Sequence, residues 1–133
     1  MAPENVLAGR GSDEGIDLLV RAFCRAERDS ILICPPTFGM YKVSARIQGA
    51  NVIEVPLIKT QDFRFDVDSV VSSCREGVKL VFVCSPNNPT GDLVSRETIE
   101  RLCRELADRA LVVVDEAYIE FAGTRSVSDL LPQ

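Results

Sequence analysis

The chain is predicted to fold as an α/β domain, a three-layer structure around a mostly parallel sheet. Three observations carry this. The run "VKLVFVC" at residues 78–84 is almost continuously apolar and rich in β-branched side chains, as strands buried on both faces are. A second such run, "LVVVD", follows at 111–115. Between the apolar runs lie segments of about 10 to 15 residues with helical periodicity, which is the alternation that gives βαβ units.

Each element can be justified in chain order. In "SDEGIDLLVRAFCRA" the residues Ile16, Leu19, Val20 and Phe23 recur at helical spacing. Ser12 is expected as the N-cap and Asp13 and Glu14 in the first turn, giving a helix over about 13–26. "SILIC" reads as a short strand stopped by Pro35 and Pro36, and "TFGMYKVSARIQG" as a helix that Gly49 ends. "NVIEVPL" is a further strand, and "DVDSVVSSCRE" a helix leading to the 78–84 strand. "SRETIERLCRELADR" is the clearest helix. Ser95 opens a capping box with Thr98 in place of the usual Glu, and Ile99, Leu102 and Leu106 form its stripe. The 111–115 strand follows, and the last residues contain no completed element. No internal repeat or linker divides the chain, so residues 1–133 are expected to form one unit.

Composition excludes several functions. Twenty acidic residues are scattered among fifteen basic ones, for a net charge of −5, and no Lys/Arg block could neutralise a row of phosphates. Nucleic acid is not an expected partner. No apolar run approaches the roughly 20 residues that span a bilayer, and "MAPENVLAGRGSDEG" lacks an export signal. The expected location is cytoplasmic, away from membranes. Five cysteines, never spaced C-x-x-C, are expected as buried free thiols, with no metal site. There is no His. Chemistry must come from carboxylates, hydroxyls, lysine or a cofactor.

Open α/β sheets bind ligands beyond the carboxyl ends of their strands, which directs attention to what stands there. After "LVVV" comes Asp115, with Glu116, Ala117 and Tyr118 behind it. A carboxylate there either caps the next element or waits for a cation. After "LVFVC" comes "SPNNPTG", whose prolines fix φ and whose Gly91 permits a left-handed turn. This is either an Asn-Pro turn or a stiff mount for the Asn88 amide. "GSDEG" opens a helix whose first amides are unpaired, either simply capped by Ser12, Asp13 and Glu14 or open to a phosphate. Phe38, just beyond "ILIC", is either core or a stacking face. Together these features describe a ligand with a phosphate, an aromatic ring, a hydrogen-bonding oxygen and a ring atom that seeks a carboxylate. Pyridoxal 5′-phosphate has all four.

"GSDEGIDLLVRAF", "CPPTFGMYKVSA", "VCSPNNPTG" and "VVVDEAYIEF", in this order and spacing, resemble the fold type I aminotransferases, which depend on pyridoxal 5′-phosphate, and within them the histidinol-phosphate branch. The similarity runs from about Leu7 to about Leu131. It implies that the chain is part of the large cofactor-binding domain. Asp115 would pair with the pyridine nitrogen, and Asn88 and Tyr118 would donate to the ring's phenolic oxygen. Backbone amides of Ser12, Asp13 and Glu14 would hold the phosphate, and Phe38 would stack on the ring. The implied reaction moves an amino group between L-histidinol phosphate and 2-oxoglutarate in histidine biosynthesis, in a homodimer.

Lys42, Lys59 and Lys79 match none of the family's catalytic positions. The Schiff-base lysine, the N-terminal arm and the small domain of the family have no counterpart in these residues. No catalytic residue is therefore assigned, and this chain by itself is expected to be inactive. The competing expectation is a short, catalytically dead paralogue that serves as an interaction module.

Overall fold

The computed structural model describes residues 3–131. Four strands, β1 (Ser30–Ile33), β2 (Asn51–Glu54), β3 (Val78–Cys84) and β4 (Leu111–Asp115), form one sheet in the order β2-β1-β3-β4. All pairings are parallel, with Leu32 opposite Ile53 and Val81, and Cys84 opposite Asp115. Helices α1 (Ser12–Phe23), α2 (Met40–Gln48), α3 (Val67–Ser73) and α4 (Arg96–Leu106) alternate with the strands.

The alternation of side chains along a strand builds the three layers. Leu80, Phe82 and Cys84 point to the face where α1 and α2 supply Ile16, Val20, Tyr41 and Ala45. Val81 and Val83 point the other way, toward Val70 and Cys74 of α3 and Leu102 and Leu106 of α4. Leu80 to Val83 are essentially inaccessible, as expected for a central strand. β4 is different: it pairs only with β3, and Leu111 is 43% exposed. Its apolar side chains leave one edge and part of one face open.

Connectivity places the ligand end. The chain passes from β1 through α2 to β2, then through α3 on the opposite face back past β1 to β3, and through α4 to β4. β1 and β3 are neighbours whose onward connections diverge, so the topological switch lies between their carboxyl ends.

The helix boundaries follow local chemistry, with one correction. Asp66 caps α3 by accepting from the Ser69 amide (3.2 Å), and Ser95 caps α4 by accepting from Thr98 (3.2 Å). Gly49, at φ 79°, closes α2. Ser12, however, is the first helical residue and not the cap: Gly11 holds that place at φ 104°, and no side chain caps the helix. α1 also ends at Phe23, short of Ala26. Cys24 turns extended, and the chain is pulled aside to meet Asp29.

Asp29 is a buried carboxylate, 1% exposed, in the turn between α1 and β1. It accepts from the Arg25 amide (2.8 Å) and from Arg25 Nε (2.7 Å) and Nη2 (3.0 Å). Arg25's side-chain and backbone hydrogen bonds hold its carboxyl well below the usual carboxylate range, against the opposing effect of burial. Since the folded form binds this proton less readily than the unfolded chain, the stabilisation is complete above the unfolded value of about 3.9 and is lost as pH falls below it. Acid unfolding of the native chain should therefore steepen below about pH 4, and Asp29→Asn should flatten that dependence while lowering stability at neutral pH. Circular dichroism melts from pH 7 to pH 3 measure both.

The cysteines divide four to one. Cys24, Cys34, Cys74 and Cys84 are buried and Cys103 is exposed, so the expectation of buried thiols fails at that one helix-surface position. Burial pushes the Cys34 thiol up to about 12, with the charge of Asp66 adding to the effect. A chromogenic disulfide titrated into the folded chain should react quickly with one thiol of the five, and Cys103→Ser should remove that fast phase.

Candidate functional site

The carboxyl ends of β1, β3 and β4 carry the segments singled out above. β4 delivers Asp115 on its last residue, next to Cys84 at the end of β3. The Asp115 carboxylate is held from two sides: Oδ2 accepts from the Tyr41 hydroxyl at 2.7 Å, and Oδ1 from the Ala117 amide at 3.1 Å. The second bond is the local capping arrangement an Asp can make; the first comes from 74 residues away.

Tyr41 is the residue that sequence reasoning missed. It is completely buried on α2, its ring stacked on Phe82 (centroids 4.6 Å apart, planes 14° from parallel) and met edge-on by Phe38 (5.7 Å, 84°). Burial, reinforced by the neighbouring Cys84 thiol and the Asp115 carboxylate, pushes its phenol far above the ordinary value. The hydroxyl stays protonated and donates. Its only sequence signal is a polar-tipped aromatic on the core stripe of a helix that begins at the ligand end of the sheet.

Phe38 is half-buried and packs against the same core cluster, so the structure gives it a part in the core. Asn88 is half-buried and Tyr118 is 46% exposed. Both line a cavity of about 420 Å³ with Pro86, Leu93 and Phe121. That cavity brings Asn88 and Tyr118 together; Asp115, Phe38 and the start of α1 do not line it.

The mount for Asn88 differs from the expectation. Gly91 does take the left-handed conformation, at φ 82°. The loop is held chiefly by Asn87, which is 8% exposed and bonded through both its amide and its main chain. Two adjacent asparagines thus differ in burial and bonding, Asn87 buried and bonded and Asn88 half-buried, a distinction that no local pattern reveals.

At the front of the domain, α1 ends against the start of β1, so its N-terminus is carried toward the carboxyl ends of the strands. Ser12 and Asp13 are exposed. Glu14 turns back and accepts from the Arg10 amide (2.7 Å), Nε (3.0 Å) and Nη2 (2.8 Å), bonds that hold its carboxyl below the usual range. Its charge is thereby paired outside the helix, and the first-turn amides keep their positive end. Of the lysines, Lys42 pairs with Glu54 at the end of edge strand β2, Lys59 starts a short 3-10 turn, and Lys79 lies near the start of β3, the end remote from Asn88. Among the described residues no acidic, Cys or His cluster could hold a metal ion, and no helix is long and apolar enough to cross a membrane.

A parallel α/β sheet with an oriented carboxylate, two hydrogen-bonding side chains, an aromatic ring and an uncapped helix start toward its carboxyl ends belongs to the class of α/β domains that take small ligands at that end. The comparisons with known proteins give this class its family. The aminotransferase class I and II model matches residues 1–131, and the chain belongs to that family. It is 54% identical over 131 residues to the histidinol-phosphate aminotransferase of Vibrio cholerae serotype O1, covering 98% of this chain and 37% of that protein. Among solved structures it resembles the histidinol-phosphate aminotransferase of Clostridium acetobutylicum (TM-score 0.78, 28% identity, 92% of this chain and 34% of that one). It also resembles an aspartate aminotransferase variant of Thermus thermophilus (TM-score 0.80, 26% identity, 86% and 31%). The chain spans little more than a third of the curated relatives it matches.

Proposed function

We propose that this chain is the cofactor-holding part of a transaminase large domain, and that the protein it represents moves an amino group between L-histidinol phosphate and 2-oxoglutarate as a homodimer. The observation that carries the reading is Asp115: a carboxylate at the ligand end of the sheet, oriented by Tyr41 and Ala117, with an Asn and a Tyr standing open nearby. That donor set fits pyridoxal 5′-phosphate. Asp115 would meet the ring nitrogen, Asn88 and Tyr118 the phenolic oxygen, the amides of Ser12, Asp13 and Glu14 the phosphate, and Phe38 the ring face. Bound there, the cofactor supplies an electron-withdrawing ring that takes up the electron pair left when a proton leaves the amino-bearing carbon.

The protein's own part is electrostatic and geometric. A fixed carboxylate favours a protonated ring nitrogen, because the positive charge beside it lowers the energy of the pair in a partly dry site. Donors on the opposite side of the ring favour a negative oxygen. Proton transfer at the substrate carbon needs a base, and Lys42, Lys59 and Lys79 are placed elsewhere. These residues should bind the cofactor without turning it over.

The test is an absorbance titration of this chain with pyridoxal 5′-phosphate, with transamination assayed in parallel. Saturable binding without turnover supports the reading. No saturable change, together with self-association on gel filtration, would favour the interaction-module alternative, for which the open edge of β4 and the 86% exposed Phe121 are the relevant features.

A further inference from the structure

Within "SPNNPTG" it is Asn87, one residue before the side chain assigned to the cofactor, that makes the contacts. Its Oδ1 accepts from the Thr37 hydroxyl (3.0 Å), and its Nδ2 donates to the Pro36 carbonyl (2.9 Å) and to Thr90 Oγ1 (2.8 Å). Its main-chain amide donates to the Asp92 carbonyl (2.8 Å), and its carbonyl accepts from the Gly91 amide (2.7 Å). Both amide protons, the side-chain oxygen and both backbone groups are used. The bonds to Thr37 and Pro36 cross from the loop after β3 to the loop after β1; those to Thr90, Asp92 and Gly91 close the β3 loop on itself.

These cross-links have a particular address. Pro36 and Thr37 immediately precede Phe38, and Asn87 immediately precedes Asn88. β1 and β3 are adjacent, but the chain leaves them toward opposite faces of the sheet. Nothing in the ladder itself fixes how far apart their loops stand. Asn87 also forms part of the wall of two cavities, the one of about 420 Å³ containing Asn88 and another of about 450 Å³ on the α3 and α4 side.

We infer that Asn87 is a positioning residue that clamps the Phe38 loop to the Asn88 loop across the switch between β1 and β3, and so sets the separation of the ring-stacking and oxygen-donating groups. The inference rests on the cofactor reading above for its consequence, and on the hydrogen bonds for the clamp. The residue type is dictated by the partners. A carboxylate of the same shape cannot donate to Pro36 O and would set two oxygens against each other; an aliphatic side chain offers neither bond.

The clamp is tested first without cofactor. Backbone order at Phe38 and side-chain amide order at Asn88, from ¹⁵N relaxation, should fall together in Asn87→Ala, toward the flexible range below about 0.6, although the substitution lies on only one of the loops. Thr37→Val, which removes one cross-link and nothing from the β3 loop, should loosen both segments less, and the double variant should be non-additive because the two share a bond. With pyridoxal 5′-phosphate present, Asn87→Ala should weaken binding at least about tenfold, and more than a loop substitution that lowers the melting temperature equally. Unchanged order at Phe38 in both Asn87→Ala and Thr37→Val would overturn the clamp. A native chain that fails to bind the cofactor would remove the cofactor reading while the relaxation data still decide the clamp.

Discussion

Asp115→Asn is expected to weaken pyridoxal 5′-phosphate binding by roughly 10- to 150-fold, the equivalent of losing one hydrogen bond to a charged group at about 1.5–3 kcal/mol. The carboxamide keeps the shape, and its one oxygen can still accept from the buried Tyr41 hydroxyl while the exposed Ala117 amide turns to water, so the melting temperature should change little. Asp115→Ala should lose the same affinity and also destabilise the chain, because the fully buried Tyr41 hydroxyl is left without its acceptor at a cost of about 1–3 kcal/mol. The two variants separate the binding role from the structural one. Equal affinity of native chain and Asp115→Asn, measured by absorbance or fluorescence titration, would take Asp115 out of the cofactor site.

How far the sequence anticipates this arrangement depends on the range of the interaction concerned. All four strands and four α-helices were legible, because each is set locally: β3 by its unbroken apolar run, α4 by Ser95 and its stripe, the end of α2 by Gly49; the short 3-10 turns, Ser128–Leu130 among the last residues included, were not. The strand order was not, since nothing in "SILIC" or "LVVVD" says which neighbour each will take, and β4's place at an edge follows only from that order. The start of α1 was misjudged because Ser12 is a good capping residue in isolation, whereas Gly11 at φ 104° turns the chain one residue earlier.

The same division holds at the site. Asp115, Asn88, Tyr118 and Phe38 were picked out as chemically suggestive side chains at the ends of predicted strands, and the structure places them at the ligand end of the sheet. Their supports were invisible. Tyr41 reaches Asp115 across 74 residues, and Asn87 reaches Pro36 across 51. Both look ordinary locally, one a core aromatic and the other half of an Asn-Asn pair. The expectation that the prolines and Gly91 stiffen the loop did not include the buried Asn87 amide that holds it. Polar groups that touch a ligand sit where topology exposes them; the groups that hold those groups still are found only when distant segments meet.

Tyr41 offers the largest stability effect, and its two parts can be taken apart. Tyr41→Ala removes a ring stacked on Phe82 and met by Phe38 in the centre of the α1 and α2 layer. Loss of a buried aromatic costs about 3–5 kcal/mol, which is a large share of the 5–15 kcal/mol that holds a typical domain together. The variant should melt far below the native chain or fail to fold. Tyr41→Phe keeps the ring and its contacts and deletes only the donor to Asp115, so its stability cost should stay near 1 kcal/mol. Its effect should appear at the site, as cofactor affinity lowered several-fold without a matching loss of stability, because Asp115 then keeps only the Ala117 amide and its carboxylate is free to turn. A native-like melt together with weakened binding in Tyr41→Phe would place the hydroxyl in the service of Asp115. Unchanged affinity would mean that Ala117 alone suffices to aim the carboxylate, and that Tyr41 belongs to the core and not to the site.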